Sequence, residues 1–179
     1  MKQMVGVIGG RSANTSAASA QVAEAVGRAI ARRNAAVICG GDDGIGQAAC
    51  RGCKEAGGVT LAVLKWNHAE DALPEVDYAI PTSIDLARNN IIIWAGSGII
   101  AFEGRYGTTS ELTLALDVQK PIVVVGETFL LREDAFDVPW CARFPRNDPG
   151  DAEAIVGRLF EMIARTDAQR AVARNGRQP

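Results

Sequence analysis

Short apolar runs alternate with amphipathic stretches along most of the chain. Residues 3–9 (QMVGVIG), 35–39 (AAVIC), 59–64 (VTLAVL), 76–80 (VDYAI), 98–102 (GIIAF) and 121–125 (PIVVV) read as strands. Their near-continuous Val, Ile and Leu content predicts strands buried on both faces, as in a parallel sheet. Between the first two, residues 16–33 place Val22, Val26 and Ile30 on one helical face. Arg28, Arg32 and Arg33 fall near the end of that helix, where positive charge suits the dipole, and Asn34 stops it. Further helices are predicted at 44–56 (closed by Gly57-Gly58), 84–95, 108–119 and 151–165.

This alternation predicts one α/β domain over residues 1–165, a Rossmann-like, doubly wound, mainly parallel sheet with helices on both faces. Residues 127–150 have no clean period and carry three prolines, so they read as irregular. The basic, polar stretch 166–179 reads as a frayed tail. There is no internal repeat. The stretch from Ile84 to Ala95 carries Leu86, Ile91, Ile92, Ile93 and Trp94, more apolar residues than a helix with one free face tolerates. Self-association into a homodimer or homotetramer is expected.

Composition narrows the function. A chain of 179 residues buries roughly 70% of its unfolded surface and needs no cofactor, disulfide or metal to fold. The formal charge of −2 lacks a basic stripe, so nucleic acid is not the expected partner. No apolar run approaches a membrane span and the start has no signal-peptide pattern, so no membrane partner and a cytoplasmic location are expected. Cys39, Cys50, Cys53 and Cys141 suit a reducing compartment better than a disulfide framework.

The chemistry lies in where the glycines fall. Gly9-Gly10-Arg11-Ser12 follows the first predicted strand, Gly40-Gly41-Asp42-Asp43-Gly44 the second, and Gly104-Arg105-Tyr106-Gly107-Thr108-Thr109 the fifth. All three runs lie at carboxyl ends of parallel strands, the edge where open α/β sheets bind ligands. Without side chains the backbone can approach a phosphate, and the N–H groups opening the next helix favour its charge. Strand-to-helix turns also need glycine for purely conformational reasons, so each run alone has a structural explanation. There is no GxxxxGK[ST] and no clean GxGxxG, so neither a P-loop NTPase nor an ordinary dinucleotide dehydrogenase is supported. A small phosphorylated ligand is the predicted partner.

The run Ala87-Arg88-Asn89-Asn90, followed by Gly104 through Glu111, resembles the signature of the LOG-like Rossmann proteins. That family includes cytokinin-activating phosphoribohydrolases, long mislabelled lysine decarboxylases, and bacterial relatives of the molybdenum cofactor carrier protein. Its motif is PGGxGTxxE preceded by a helical arginine, matched here by Arg88. The likeness covers residues 4–125. Glu103-Gly104-Arg105 stands where the phosphoribohydrolases have Pro-Gly-Gly, and Arg88-Asn89 where they have Arg-Lys, so the carrier-type branch fits better.

The resemblance implies binding of a nucleotide-like ligand, with molybdenum cofactor as the carried or stored group. The alternative it implies is a nucleoside 5′-monophosphate phosphoribohydrolase releasing free base and ribose 5-phosphate. There Arg88 and Glu111 would be catalytic, the carboxylate stabilising the oxocarbenium character of the ribose and Arg88 neutralising phosphate. Glu111 has a structural reading too, because Thr108-x-x-Glu111 matches a capping box, and Arg88 could be a solvated helix arginine. No metal site is expected. Cys50-x-x-Cys53 is half a zinc motif without its second half; His68 could overhang the ligand edge but sits in a polar stretch with nothing to pair to; Asp42-Asp43 could bind a ribose hydroxyl or a cation, but acidic residues also suit a turn.

Overall fold

The computed structural model describes residues 2–127 and 132–175. Seven strands form one parallel sheet: β1 (Met4–Ile8), β2 (Ala36–Cys39), β3 (Val59–Leu64), β4 (Tyr78–Pro81), β5 (Gly98–Ala101), β6 (Ile122–Val125) and β7 (Cys141–Phe144). Their order is β4-β3-β2-β1-β5-β6-β7. The chain therefore winds outward from β1 to one edge, returns to pair β5 against β1 (Val5↔Gly98 through Ile8↔Ala101), and winds outward again. The reversal between β1 and β5 opens a crevice at their carboxyl ends, the expected ligand position.

Alternation along the strands splits the core in two. Val5, Val7, Ile100 and Phe102 face α1 (Ala17–Arg32), α2 (Ile45–Glu55) and α5 (Ala152–Asn175). Ile38, Val63, Ile99 and Ile122 face the shorter α3 (Asn89–Ala95) and α4 (Tyr106–Asp117). The first layer is held unusually close by two glycines. A Cβ on Gly27 of α1 would lie 2.0 Å from the Ala49 carbonyl oxygen, and one on Gly52 of α2 would lie 1.8 Å from that of Glu24. On the opposite face the two short helices leave large apolar groups in solvent. Trp94 is 61% exposed and Leu86 59%, with Ile84, Tyr78 and Ile80 also exposed.

Three expectations need correction. Residues 141–144, read as irregular, form β7, paired to β6 from Ile122↔Cys141 to Val125↔Phe144; residues 128–131 of that stretch lie outside the described residues. The helix read at 84–95 begins as a 3-10 turn, Asp85–Arg88, and becomes α-helical only from Asn89. Ser83 and Asp85 hold positive φ (56° and 49°), which interrupts an α-helix. The N–H groups of Thr82, Ser83 and Asp85 instead bond back to carbonyls at the end of β3 and the residues after it. The helix read at 151–165 continues to Asn175 instead of fraying. Its apolar stripe ends near Ile163, but Ala, Gln and Arg continue the helix on propensity while residues 167–173 face solvent; residues 176–179 lie outside the described residues.

Candidate functional site

Three loops meet at the crevice and are bonded to one another. The Gly10 N–H donates to the Glu103 carbonyl (2.7 Å), and the Ile45 N–H donates to the Gly10 carbonyl (3.1 Å). The Glu103 carboxylate turns back to accept from the Ser16 N–H (2.8 Å) and the Ser19 hydroxyl, satisfying donors at the start of α1. Gly44, at φ 92°, lets the second loop pass beside the Gly10 carbonyl. The resulting cleft encloses about 200 Å³.

The fifth-strand loop opens α4 toward this cleft. Its helix starts at Tyr106 with Arg105 in the cap position, and Gly107 and Thr108 line the cavity within the first turn. First-turn N–H groups have no partner within the helix and carry its positive end. A Cβ on Gly107 would meet nothing within 4 Å, so the space beside it is open. A Cβ on Gly104 would strike the Thr108 hydroxyl at 2.1 Å, so that glycine serves close packing.

Behind the helix end lies a buried charge chain. Arg88 leaves the 3-10 turn and enters the cleft, its side chain 8% exposed. Its Nη2 lies 3.2 Å from Asp42 Oδ2 and its Nη1 3.6 Å from Glu111 Oε1. The guanidinium rests on Gly40, where a Cβ would come within 2.3 Å of both Nη atoms. Lys65 Nζ contacts the other Asp42 oxygen at 3.0 Å, and Arg11 Nε holds Asp43 at 2.9 Å. The Arg88 Nε is buried with no hydrogen-bond partner among the described residues.

Burial pushes the Glu111 carboxyl up from 4.5 to about 7, with the Asp42 charge raising it and the Arg88 charge opposing. The capping box does not form. Because α4 begins at Tyr106, Thr108 is already inside the helix and Glu111 lies too far along it to reach a terminal N–H. Nor is Arg88 a surface residue.

An acid whose folded pKa is raised holds its proton more tightly in the native state. Stability therefore falls as pH rises from about 4.5 to about 7, by on the order of 3 kcal/mol from this group. Glu111→Gln is expected to flatten that slope in urea unfolding measured across the window. An unchanged slope would show that Glu111 is not the group responsible.

The structure brings Gly9, Gly10, Arg11, Arg88, Arg105, Gly107, Thr108 and Glu111 to one cleft, with Gly40 beneath Arg88. It does not bring six predicted residues there, one of them Gly104, which packs against Thr108. Gly41 (φ 72°) packs toward Leu64, Gly44 shapes its loop, and the Ser12 hydroxyl binds Asp43. Tyr106 and Thr109 line a separate groove with Thr113 and Leu114 on the outside of α4. Lys65 and Asn89 line the cleft and were not anticipated as ligand contacts. Lys65 could have been found, because it directly follows a strand at the same sheet edge.

Cys50 lies 3.6 Å, sulfur to sulfur, from Cys39 in the core, and Cys53 is also buried. His68 lies at the surface with its Nδ1 3.7 Å from Glu70 Oε1. Among the described residues, no group of three or more His, Cys, Asp or Glu is placed to hold a metal ion.

Fold and motif together define a LOG-like Rossmann domain. Within that class the chain belongs to the SLOG cluster4 family, whose profile matches residues 2–139. It is 30% identical to the molybdenum cofactor carrier protein of Chlamydomonas reinhardtii, with a TM-score of 0.75 over 90% of this chain and 99% of that one. The molybdenum cofactor binding protein of the phototrophic bacterium Rippkaea orientalis is 29% identical, with a TM-score of 0.73 over 87% and 98%. An uncharacterized protein of Archaeoglobus fulgidus is 33% identical over 135 residues, 70% of this chain and 87% of that one.

Proposed function

We propose that this protein binds a small phosphorylated ligand of nucleotide type, with molybdenum cofactor as its cargo, and holds it without turnover. One observation carries the reading: open space beside Gly107 at the start of α4 adjoins a buried guanidinium whose Nε lacks a partner. The first-turn N–H groups of α4, with Arg88 and Arg105, would take the phosphate. Ligand pockets usually enclose about 300–1,000 Å³. A cleft of about 200 Å³ therefore suits the phosphate end and the adjoining skeleton, with the rest leaving past Leu86 and Arg105 at the open side. Likeness to two proteins named for molybdenum cofactor supports the same cargo. Free thiols in the core suit a cytoplasmic setting, and no helix among the described residues is long and apolar enough to cross a membrane.

The test is calorimetric titration with inorganic phosphate, nucleoside 5′-monophosphates and molybdenum cofactor, repeated on Gly107→Val. The added side chain meets no protein atom. Phosphate-bearing ligands should bind at least tenfold more weakly while the melting temperature stays within a few degrees. Equal affinity for both proteins would sink the reading.

Glu111 supports a second reading. A carboxyl near 7 beside an arginine is matched to acid–base work at neutral pH, as a nucleoside monophosphate hydrolase requires. Release of free base by wild type, lost in Glu111→Gln, would put hydrolysis in place of storage.

The exposed face of Ile84, Leu86 and Trp94 is proposed to be covered by a second copy of the chain. Sedimentation should show a dimer or tetramer at micromolar concentration. A monomer there would refute this.

A further inference from the structure

Asn89 is the first residue of α3 and stands beside Arg88 in the cleft, 6% exposed. Its amide nitrogen lies 3.5 Å from the Ser110 hydroxyl, while its Oδ1 is buried with no hydrogen-bond partner among the described residues. Which half of an amide faces which neighbour follows from the surrounding network. The single hydroxyl proton of Ser110 goes to the Gly107 carbonyl at 2.7 Å, so Ser110 can only accept from Asn89. The nitrogen must therefore face Ser110, which leaves the carbonyl oxygen as the free half.

A buried acceptor without a donor is costly, and a site that keeps one discriminates strongly for a ligand that satisfies it. The ionised phosphate of a phosphomonoester cannot, because above its second pKa of about 6 all its terminal oxygens are acceptors. The donor must come from the carbon skeleton that bears the phosphate.

Resting on the phosphate-binding reading above, we propose that Asn89 Oδ1 is a specificity-determining acceptor for an O–H or N–H group on the phosphorylated skeleton. Arg88, the preceding residue and also part of the cleft lining, carries a second buried polar atom without a partner among the described residues, its donor Nε. Together they select a phosphomonoester with a polar skeleton over one whose skeleton brings no donor. The donor can be a ribose hydroxyl or a ring N–H of a base or pterin.

The test compares wild type with Asn89→Leu, which keeps the volume and removes the acceptor. Without ligand, the variant should melt no lower than wild type, because an unsatisfied buried group has been removed. A fall of several degrees would show Asn89 to be structural and overturn the proposal. In titrations at pH 8, affinity for guanosine 5′-monophosphate should fall at least tenfold in the variant, while methyl phosphate, a phosphomonoester dianion without a donor, binds within twofold of wild type. Equal affinity of the two proteins for the nucleotide, or equal losses for nucleotide and methyl phosphate, overturns the proposal and leaves the phosphate-binding reading intact. No binding of any probe to wild type overturns both. The 2′,3′-dideoxy analogue separates the sources. If it is insensitive to the substitution, the donor is a ribose hydroxyl; if it loses affinity as the parent nucleotide does, the donor is on the ring.

Discussion

Arg88→Met is expected to lower stability by about 3–5 kcal/mol and to weaken binding of phosphate-bearing ligands at least a hundredfold. Methionine fills the space of the arginine stem but leaves Glu111 buried without a cation and the partly buried Asp42 with Lys65 as its remaining close partner. Breaking a buried ion pair from one side costs this much because the remaining charge stays desolvated. Truncating a buried charged contact to ligand costs about 2–5 kcal/mol in binding. The pH dependence carries a further sign. Arg88 is what holds the Glu111 pKa down against burial; without it Glu111 stays protonated to higher pH. The penalty should therefore be smaller at pH 5.5 than at pH 8, which urea unfolding at the two values would show. A loss of stability independent of pH, with phosphate affinity intact, would mean that Arg88 does not link Glu111 to the ligand. Lysine should not rescue, since one ammonium cannot bridge two carboxylates as the planar guanidinium does.

Gly52→Val is the second large effect, expected to cost about 3 kcal/mol or more by overpacking. The new Cβ would lie 1.8 Å from the Glu24 carbonyl oxygen, and that atom belongs to the backbone of α1, so no rotamer change relieves the collision. The helices must separate, which unpacks Val22, Val26, Ala49 and Cys53 together. Chemical denaturation should show a fall in midpoint, and Gly27→Val, at the reciprocal contact, should do the same. Wild-type stability in either variant would mean that the helices do not cross at this distance.

The architecture was largely legible because most strands announce themselves as buried Val and Ile runs. β7 did not, since Cys141–Phe144 is an edge strand in which every side chain is only half-buried. No apolar run marks it. The length of α5 was hidden for the opposite reason: beyond Ile163 the helix faces water and loses its stripe without losing its hydrogen bonds. At the site, residues of all three glycine runs lie around the cleft, but contiguity in sequence overstated how many do. Tyr106, Gly107, Thr108 and Thr109 look like one motif. Once α4 starts at Tyr106, successive residues rotate by about 100°, so Gly107 and Thr108 face the cleft and Tyr106 and Thr109 face away. Likewise Thr108-x-x-Glu111 has capping-box spacing, and only the position of the helix start decides against it.

The tie between Gly10, Glu103 and the first turn of α1 bears on how a ligand would be taken up. With the Gly10 N–H on the Glu103 carbonyl and the Glu103 carboxylate on Ser16 and Ser19, the first and third glycine loops are braced as one piece. Capture then requires little ordering of backbone, so the entropic toll of association falls mainly on the ligand and on exposed side chains such as Arg11 and Arg105. Uptake through such a rigid mouth is governed by encounter and charge instead of gating, and its rate should respond more to ionic strength than to viscosity-sensitive loop motion.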